Sequence, residues 1–285
     1  MYPPVQVLTD CVDINARSRL SARNAALFGA FPAVFPLTGS TPEVTAGLTL
    51  LDLLLATDAL GESGGATITQ VNVAPRTEEW PNGAPFCYFW GGANLVVSTF
   101  SALTLSYVRQ HLAVEEVHVT DAHQVMESAR AWTNLTTQEA GAIAGTQFRS
   151  LWFQPLLTKW LFDDRPVPST RIGVPPVPDT GAIVAYIDNF GNCKINRTGV
   201  AVGFAPGNHI KILIYDGGKI SATYTVCCYS HLSAVPRDEA GLIVGSSGRG
   251  LLELVVRSGS AAQRFQLAQG TRIFLLSLQS AAVSL

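Results

Sequence analysis

Residues 165–180, RPVPSTRIGVPPVPDT, carry five prolines in sixteen positions. Proline fixes φ and removes a backbone donor, so such a stretch suits neither a helix nor a central strand. It reads as a semi-rigid linker. The texture of the chain changes across it. Before it, strand-like runs alternate with helical ones, which predicts an α/β domain over 1–164, Rossmann-like, with a mostly parallel sheet. After it, short strands alternate with turns at Asp216-Gly217-Gly218, Gly245-Ser246 and Ser258-Gly259, with no long helix. Residues 181–285 therefore read as a small all-β barrel domain.

Within the first part, VQVLTD (5–10) is a short apolar run, and residues 16–30 are rich in Ala, Arg and Leu and read as a helix. Residues 43–57 read as another helix, with Thr41 as N-cap and Pro42 at the first helical position. ATITQVNV (66–73), PFCYFW (85–90) and VEEVHVTD (114–121) have strand character, while 94–112 and the aromatic-rich 146–162 look helical. Ligands of such sheets sit at the carboxyl ends of strands. Asp10, Asn72 and Thr120-Asp121 fall near such ends.

Composition excludes several classes. The formal net charge of −2 leaves no electrostatic footprint for nucleic acid. Hydrophobic residues make up 47% and charged residues 14%, which predicts apolar surface buried between subunits. The longest apolar stretches, such as AGLTLLDLLLA (46–56), are too short to span a bilayer. The start, MYPPVQVLTD, lacks the basic and apolar regions of a signal peptide. Cys11, Cys87, Cys193, Cys227 and Cys228 show no CxxC spacing and are odd in number. The expectation is a reduced, cytoplasmic protein, with the sequons at Asn134 and Asn196 accidental. None of the five histidines forms a metal-ligand pair, so no metal is expected. The Gly-rich runs at 61–65 and 245–250 match neither a dinucleotide fingerprint nor a P-loop.

Two segments carry more information. GAIVAYIDNFGN (181–192) is an apolar strand ending in an acid and a tight turn; SSGRGLLELVVRSGSAA (246–262) is a Gly/Ser loop, a strand and a small-residue turn. In this order and spacing they resemble the C-terminal domain of the S-adenosyl-L-methionine (SAM) hydroxide adenosyltransferases, whose relatives include the SAM-dependent fluorinase and chlorinase. The family pattern is roughly G-x-V-x-x-I-D-x-F-G-N, then N-S-x-G-Y-L-E-I-A-V-N-x-G-N-A-A.

The resemblance implies a ligand set. Asp10, in Thr9-Asp10-Cys11-Val12, matches the aspartate that holds both ribose hydroxyls; a carboxylate accepts from two vicinal hydroxyls at once. As a residue alone, Asp10 reads equally as a turn or helix cap. Asp188 matches the acid near the methionine ammonium, Asn192 the amide that reads the adenine edge, and Phe190 a wall of the base. The residues by themselves read as a β-turn with an Asx bond. Tyr229 sits where the family stacks an aromatic on adenine, or is a plain core tyrosine. His231, two residues on, lies close to the same implied pocket or is a solvated loop residue. Ser246, Ser247 and Arg249 fall on the loop that holds the methionine carboxylate; one extra glycine leaves open which serine aligns.

The family reaction is substitution at the 5′ carbon of SAM, with methionine leaving as a neutral thioether. The sulfonium needs no metal or general acid, so the enzyme desolvates and aims the nucleophile. The hydroxide branch activates water with Asp, Arg and His. Here Asn72 replaces the acid, and an amide is no base near neutral pH. Phe148 stands in the position of the histidine. Arg76 or Arg149 can supply a cation, or can pair with Glu78 or Glu79. The halogenase contacts are missing too.

The sequence thus predicts a SAM-binding enzyme that substitutes at the 5′ carbon and releases methionine, with water as nucleophile and adenosine as product. No cofactor is expected beyond SAM itself. The resemblance implies homotrimers with SAM sites shared between subunits. The alternatives are a specialised relative using the pocket for another nucleophile or reaction, and a non-catalytic SAM- or adenosine-binding protein.

Overall fold

A computed structural model describes residues 1–57, 66–73, 80, 82–178, 181–246 and 249–278. The chain forms two compact units, Met1–Thr38 with Ala46–Pro178 and Gly39–Thr45 with Asp179–Leu285.

The first unit is a seven-stranded sheet with helices. Its strands are β1 (Val5–Thr9), β2 (Ala33–Pro36), β3 (Ile68–Asn72), β4 (Phe86–Gly91), β5 (Asn94–Thr99), β6 (Glu116–Val119) and β7 (Thr170–Gly173), in the order β2-β1-β3-β5-β4-β6-β7. The strands from β2 to β5 pair in parallel, and those from β5 to β7 pair antiparallel. β3 and β5 are buried along their whole length, as a sheet covered on both faces requires. Alternation divides their side chains. Val5, Val7, Ile68, Leu95 and Val97 pack with Phe153, Leu157 and Trp160. Leu8, Val71 and Val96 pack on the other face with Leu50, Leu54, Leu105 and Val108.

The helices are α1 (Ile14–Phe28), α2 (Pro42–Thr57), α3 (Ala102–Leu112), α4 (Ala122–Ala129), α5 (Thr137–Ala144), α6 (Arg149–Trp152) and α7 (Gln154–Phe162). Asp13 starts α1 by accepting the Ala16 N–H at 2.9 Å, and Gly29, at φ 79°, ends it. Thr136 and Glu139 form a capping box on α5. As expected, α2 begins at Pro42.

Three expectations change. Residues 94–112 are not one helix: NLVVST forms β5 and the helix begins only at Ala102. The run is apolar and β-branched, and pairing with β3 and β4 outweighs its helical periodicity. The helix expected over 146–162 breaks at Phe153, one residue before α7, which carries Pro155 in its first turn. Inside 165–180, Thr170–Gly173 form β7, an exposed edge strand paired with β6, and the prolines lie on either side of it.

The second unit is a closed barrel of β8 (Ala182–Ile187), β9 (Cys193–Thr198), β10 (His209–Asp216), β11 (Lys219–Cys228), β12 (Ala240–Val244), β13 (Leu251–Val256) and β14 (Arg272–Ser277). One four-residue helix, α8 (Ala261–Arg264), follows β13. Ile195, Ile210, Ile212, Leu242, Leu252, Leu254 and Ile273 fill the interior, and closure pairs the strands edge to edge. Asn196 is buried and accepts the Ile183 N–H at 2.6 Å, so this sequon is part of the core. The short segment Gly39–Thr45 belongs to this unit. Thr45 Oγ1 donates to the Ala185 carbonyl at 2.7 Å and accepts from Gln269 Nε2 at 2.6 Å. Among the described residues no helix is long and apolar enough to cross a membrane.

In the first unit α2 meets α3 at Gly47, where a Cβ would lie 2.8 Å from the Leu103 and Thr104 carbonyl oxygens and from the Tyr107 ring. Backbone oxygens cannot move aside cheaply. Gly47→Ala should lower the stability of the α/β unit by about 1–3 kcal/mol, read as a lower denaturant midpoint. An unchanged midpoint would contradict this packing.

Candidate functional site

In the α/β unit the chain passes from β1 to β2 on one side, then crosses to β3 on the other. The sheet order therefore reverses between β1 and β3, which is where open α/β sheets bind ligands. Asp10 follows β1 and Asn72 ends β3, so both lie at that reversal. The Asp10 N–H donates to the Asn72 carbonyl at 3.1 Å. The Asn72 side chain is 6% exposed, and its amide nitrogen faces Thr9 Oγ1 at 3.2 Å, Asp10 Oδ1 at 3.4 Å and Cys11 Sγ at 3.7 Å. Thr9 Oγ1 also accepts the Cys11 N–H at 3.1 Å. Asp10 is half-buried. Burial, and then the Asp10 charge, push the Cys11 thiol above its ordinary value, so it stays protonated near neutrality.

A cleft of about 80 Å³ opens beside this knot, lined among others by Cys11, Asn72, Phe148 and Arg149. It has room for a few water-sized groups and not for a nucleoside. Phe148 precedes α6 and is half-buried, with the Arg19 guanidinium 5.3 Å from its ring centroid. Arg149 Nη2 donates to the carbonyls of Asn82, Gly83 and Ala84 at 2.5, 2.5 and 2.9 Å. Its guanidinium thus ties down the loop leading into β4. Burial lowers its pKa, and nearby Asp121 acts the other way. Arg76, Glu78 and Glu79 lie outside the described residues. Thr120 hydrogen-bonds the Phe86 carbonyl through both its N–H and its hydroxyl, while Asp121 caps α4.

In the barrel, Asp188 and Asn192 build the turn between β8 and β9. Asp188 Oδ1 accepts the N–H groups of Phe190 and Asn192, each at 2.9 Å, and Oδ2 accepts Asn192 Nδ2 at 2.9 Å. The Asx bond that the residues alone suggest is therefore present. It leaves Phe190 70% exposed at the tip. Burial, and then the Asp188 charge, push the neighbouring Cys193 thiol up to about 12. Gly191 has φ 83°, and the place of its missing Cβ is filled by Ser260. The Ala262 N–H donates to the Gly191 carbonyl at 2.9 Å. The two sequence segments thus meet at Gly191 and Ser260–Ala262.

Tyr229 lies against Gly241, where a Cβ would come 2.6 Å from its ring, and packs with Val235, Ile243 and Val255. His231 Nδ1 lies 2.8 Å from Ser233 Oγ, in an exposed stretch. Ser246 and Arg249 are exposed in the loop that opens β13, with Arg249 at φ 55°. They sit at the far end of β13 from Ser260, beyond a strand of 6 residues. Ser247 lies outside the described residues. Among the described residues no group of three or more His, Cys, Asp or Glu side chains gathers as a metal site.

Sequence reasoning did not single out Thr9, Cys11 and Ser260. Thr9 and Cys11 flank Asp10, and only the pairing of β1 with β3 brings Asn72 to them. Ser260 lies within the quoted second segment, but its contact with Gly191 is long-range.

These units define an α/β protein with a β-barrel attached. Residues 182–274, within the barrel unit, match the SAM hydroxide adenosyltransferase C-terminal domain. Two solved structures share the fold. An uncharacterized conserved protein from Thermotoga maritima has a TM-score of 0.65 at 13% identity, covering 95% of this chain and 99% of its own. A conserved hypothetical protein from Thermus thermophilus has a TM-score of 0.54 at 18% identity, covering 96% and 100%. No curated protein matches the chain.

Arg149→Met keeps the bulk of the side chain and removes the three carbonyl contacts. The α/β unit should lose about 2–3 kcal/mol in chemical denaturation, as expected for bonds from a charged donor. A loss below about 0.5 kcal/mol would mean that the loop at 82–84 does not depend on this residue.

Proposed function

We propose that the chain binds SAM and adenosine and converts SAM slowly to adenosine and methionine. The observation that carries this reading is the match of residues 182–274 to the SAM hydroxide adenosyltransferase C-terminal domain. The placement of Asp10 at the sheet reversal supports it. In this reading Asp10 accepts both ribose hydroxyls, Asn192 meets the adenine edge, and Asp188 faces the ammonium. Phe190 and Tyr229 flank the base, and Ser246, Ser247 and Arg249 serve the carboxylate. Asp188 already accepts three N–H donors, so its role toward a cation is charge rather than a new directional bond.

Water attacks the 5′ carbon. The C–O bond forms as the C–S bond breaks, sulfur leaves with the bonding pair as neutral methionine, and the released proton passes to solvent. The leaving group needs no activation, so positioning and water exclusion do the work. The residues at the family's acid and imidazole positions are an amide, Asn72, and a ring, Phe148. Neither takes a proton from water. General-base help is worth roughly 10²–10⁴ in rate, and turnover should fall short by a factor of that order. Arg149, tied to three carbonyls, acts in this reading on the loop rather than on a nucleophile.

The same reading includes assembly as a homotrimer, and a cytoplasmic setting that free thiols suit. Light scattering at micromolar concentration tests the assembly, and a strictly monomeric mass with SAM bound would remove it.

Calorimetry should show SAM or adenosine binding in the micromolar range. Asp10→Ala should weaken adenosine by about 1.5–3 kcal/mol through lost charge-assisted bonds. No heat and no thermal shift with SAM, adenosine or methylthioadenosine would contradict the reading. Chromatography of a long incubation with SAM should show slow, stoichiometric adenosine and methionine. Binding without any product would leave a SAM-binding protein rather than an enzyme.

A further inference from the structure

Asn72 occupies the position where the resemblance expects a catalytic acid, yet its surroundings give it a different task. Its side chain is more than nine-tenths buried, and its amide nitrogen faces three acceptors: Thr9 Oγ1, Asp10 Oδ1 and Cys11 Sγ. An ionised carboxylate accepts only, so the group turned toward Asp10 must be the amide N–H. Thr9 Oγ1 already receives the Cys11 N–H, which fills its second acceptor position. The backbone closes the same ring, since the Asp10 N–H donates to the Asn72 carbonyl. The residue after β1 is thus held by the residue that ends β3, through both main chain and side chain.

We propose that Asn72 is a positioning residue: its amide N–H, together with the main-chain bond from Asp10 to Asn72, holds the Asp10 carboxylate in place as the acceptor for a ligand diol. The diol arm rests on the adenosine reading given above; the positioning of Asp10 stands on geometry alone. An acid at position 72 would not be a free base here. It would put a second carboxylate beside Asp10, and two carboxylates at that spacing cannot both stay ionised without cost. The pair would hold a proton above the usual carboxylate range. Below that raised value one protonated acid donates to the other and imitates the amide. Above it both are charged and Asp10 is pushed out of place. Among the described residues, the other titratable groups lining the adjoining cleft are the Cys11 thiol and the Arg149 guanidinium, and the latter is tied to the carbonyls of 82–84.

Cys11 is a built-in reporter that needs no ligand, because its sulfur is 3.7 Å from Asn72 Nδ2 and 3.8 Å from Asp10 Oδ1. The test uses the full chain as wild type, Asn72→Asp and Asn72→Ala. Iodoacetamide labelling of Cys11 is followed by peptide mass spectrometry across pH 6–10, and adenosine binding by calorimetry at pH 5.5 and 8. In Asn72→Asp, labelling of Cys11 at pH 8 should slow roughly tenfold, because a second negative charge disfavours the thiolate. Its adenosine affinity should recover about tenfold from pH 8 to 5.5 as the added carboxyl takes up a proton. Asn72→Ala adds no charge, so it should bind weakly at both pH values and leave the pH midpoint of Cys11 labelling near that of wild type. Unchanged Cys11 labelling in Asn72→Asp would overturn the proposal, as would an Asn72→Ala variant that binds adenosine like wild type. If wild type binds no adenosine while Cys11 labelling still responds to Asn72→Asp, the positioning of Asp10 stands and the adenosine reading fails.

Discussion

The parallel pairing of β1 with β3 determines what the α/β unit can offer a ligand. In register, Thr9 lies beside Asn72, and the strands part immediately afterwards because the sheet order reverses there. Two chain ends leaving a buried sheet expose polar groups that need partners. Here they satisfy one another: the Asp10 N–H takes the Asn72 carbonyl, and the Asn72 amide takes the Thr9 hydroxyl and the Asp10 carboxylate. The outcome is a carboxylate fixed at a strand end, half-buried, with a neutral donor behind it. Such a group is placed to accept hydrogen bonds.

The barrel follows a related logic with different parts. A strand-to-strand turn is closed by Asp188 accepting two N–H groups and the Asn192 amide, so the turn is rigid before any ligand arrives. Gly191 lets Ser260 lie against it, and the Ala262 N–H completes the junction. The structural role of Asp188 and its proposed role toward a ligand are therefore compatible. A self-satisfied turn is preorganised, which reduces the entropy that binding must overcome.

Much of this architecture was legible in the sequence. Proline density marked the change of texture at 165–180, Pro42 marked the start of α2, and the Gly and Ser pairs marked the barrel turns. Local pattern failed where tertiary pairing decided the outcome. Residues 94–99 look continuous with the helix that follows, but their β-branched run is the strand that the centre of the sheet needs. β7 forms between prolines because four residues suffice for an edge strand. The turn at 188–192 and the residues after β1 and β3 were legible as site candidates from their motifs. Their partners were not, because Asn72 and Asp10 are 62 residues apart, and Gly191 and Ser260 come together only through the pairing of β9 with β13. The sequence likewise identified Asn72 as an acid lost; only its three acceptors give it a role of its own.

We propose the Asp10 carboxylate, held by Asn72, as the acceptor of a nucleoside diol. Crystals of the full chain grown with adenosine test it most directly. Both ribose hydroxyls should lie within hydrogen-bond distance, about 2.5–3.0 Å, of the Asp10 carboxylate, with the Asn72 amide still on Asp10. Adenosine bound with its diol turned to solvent, or bound elsewhere on the chain, would contradict it.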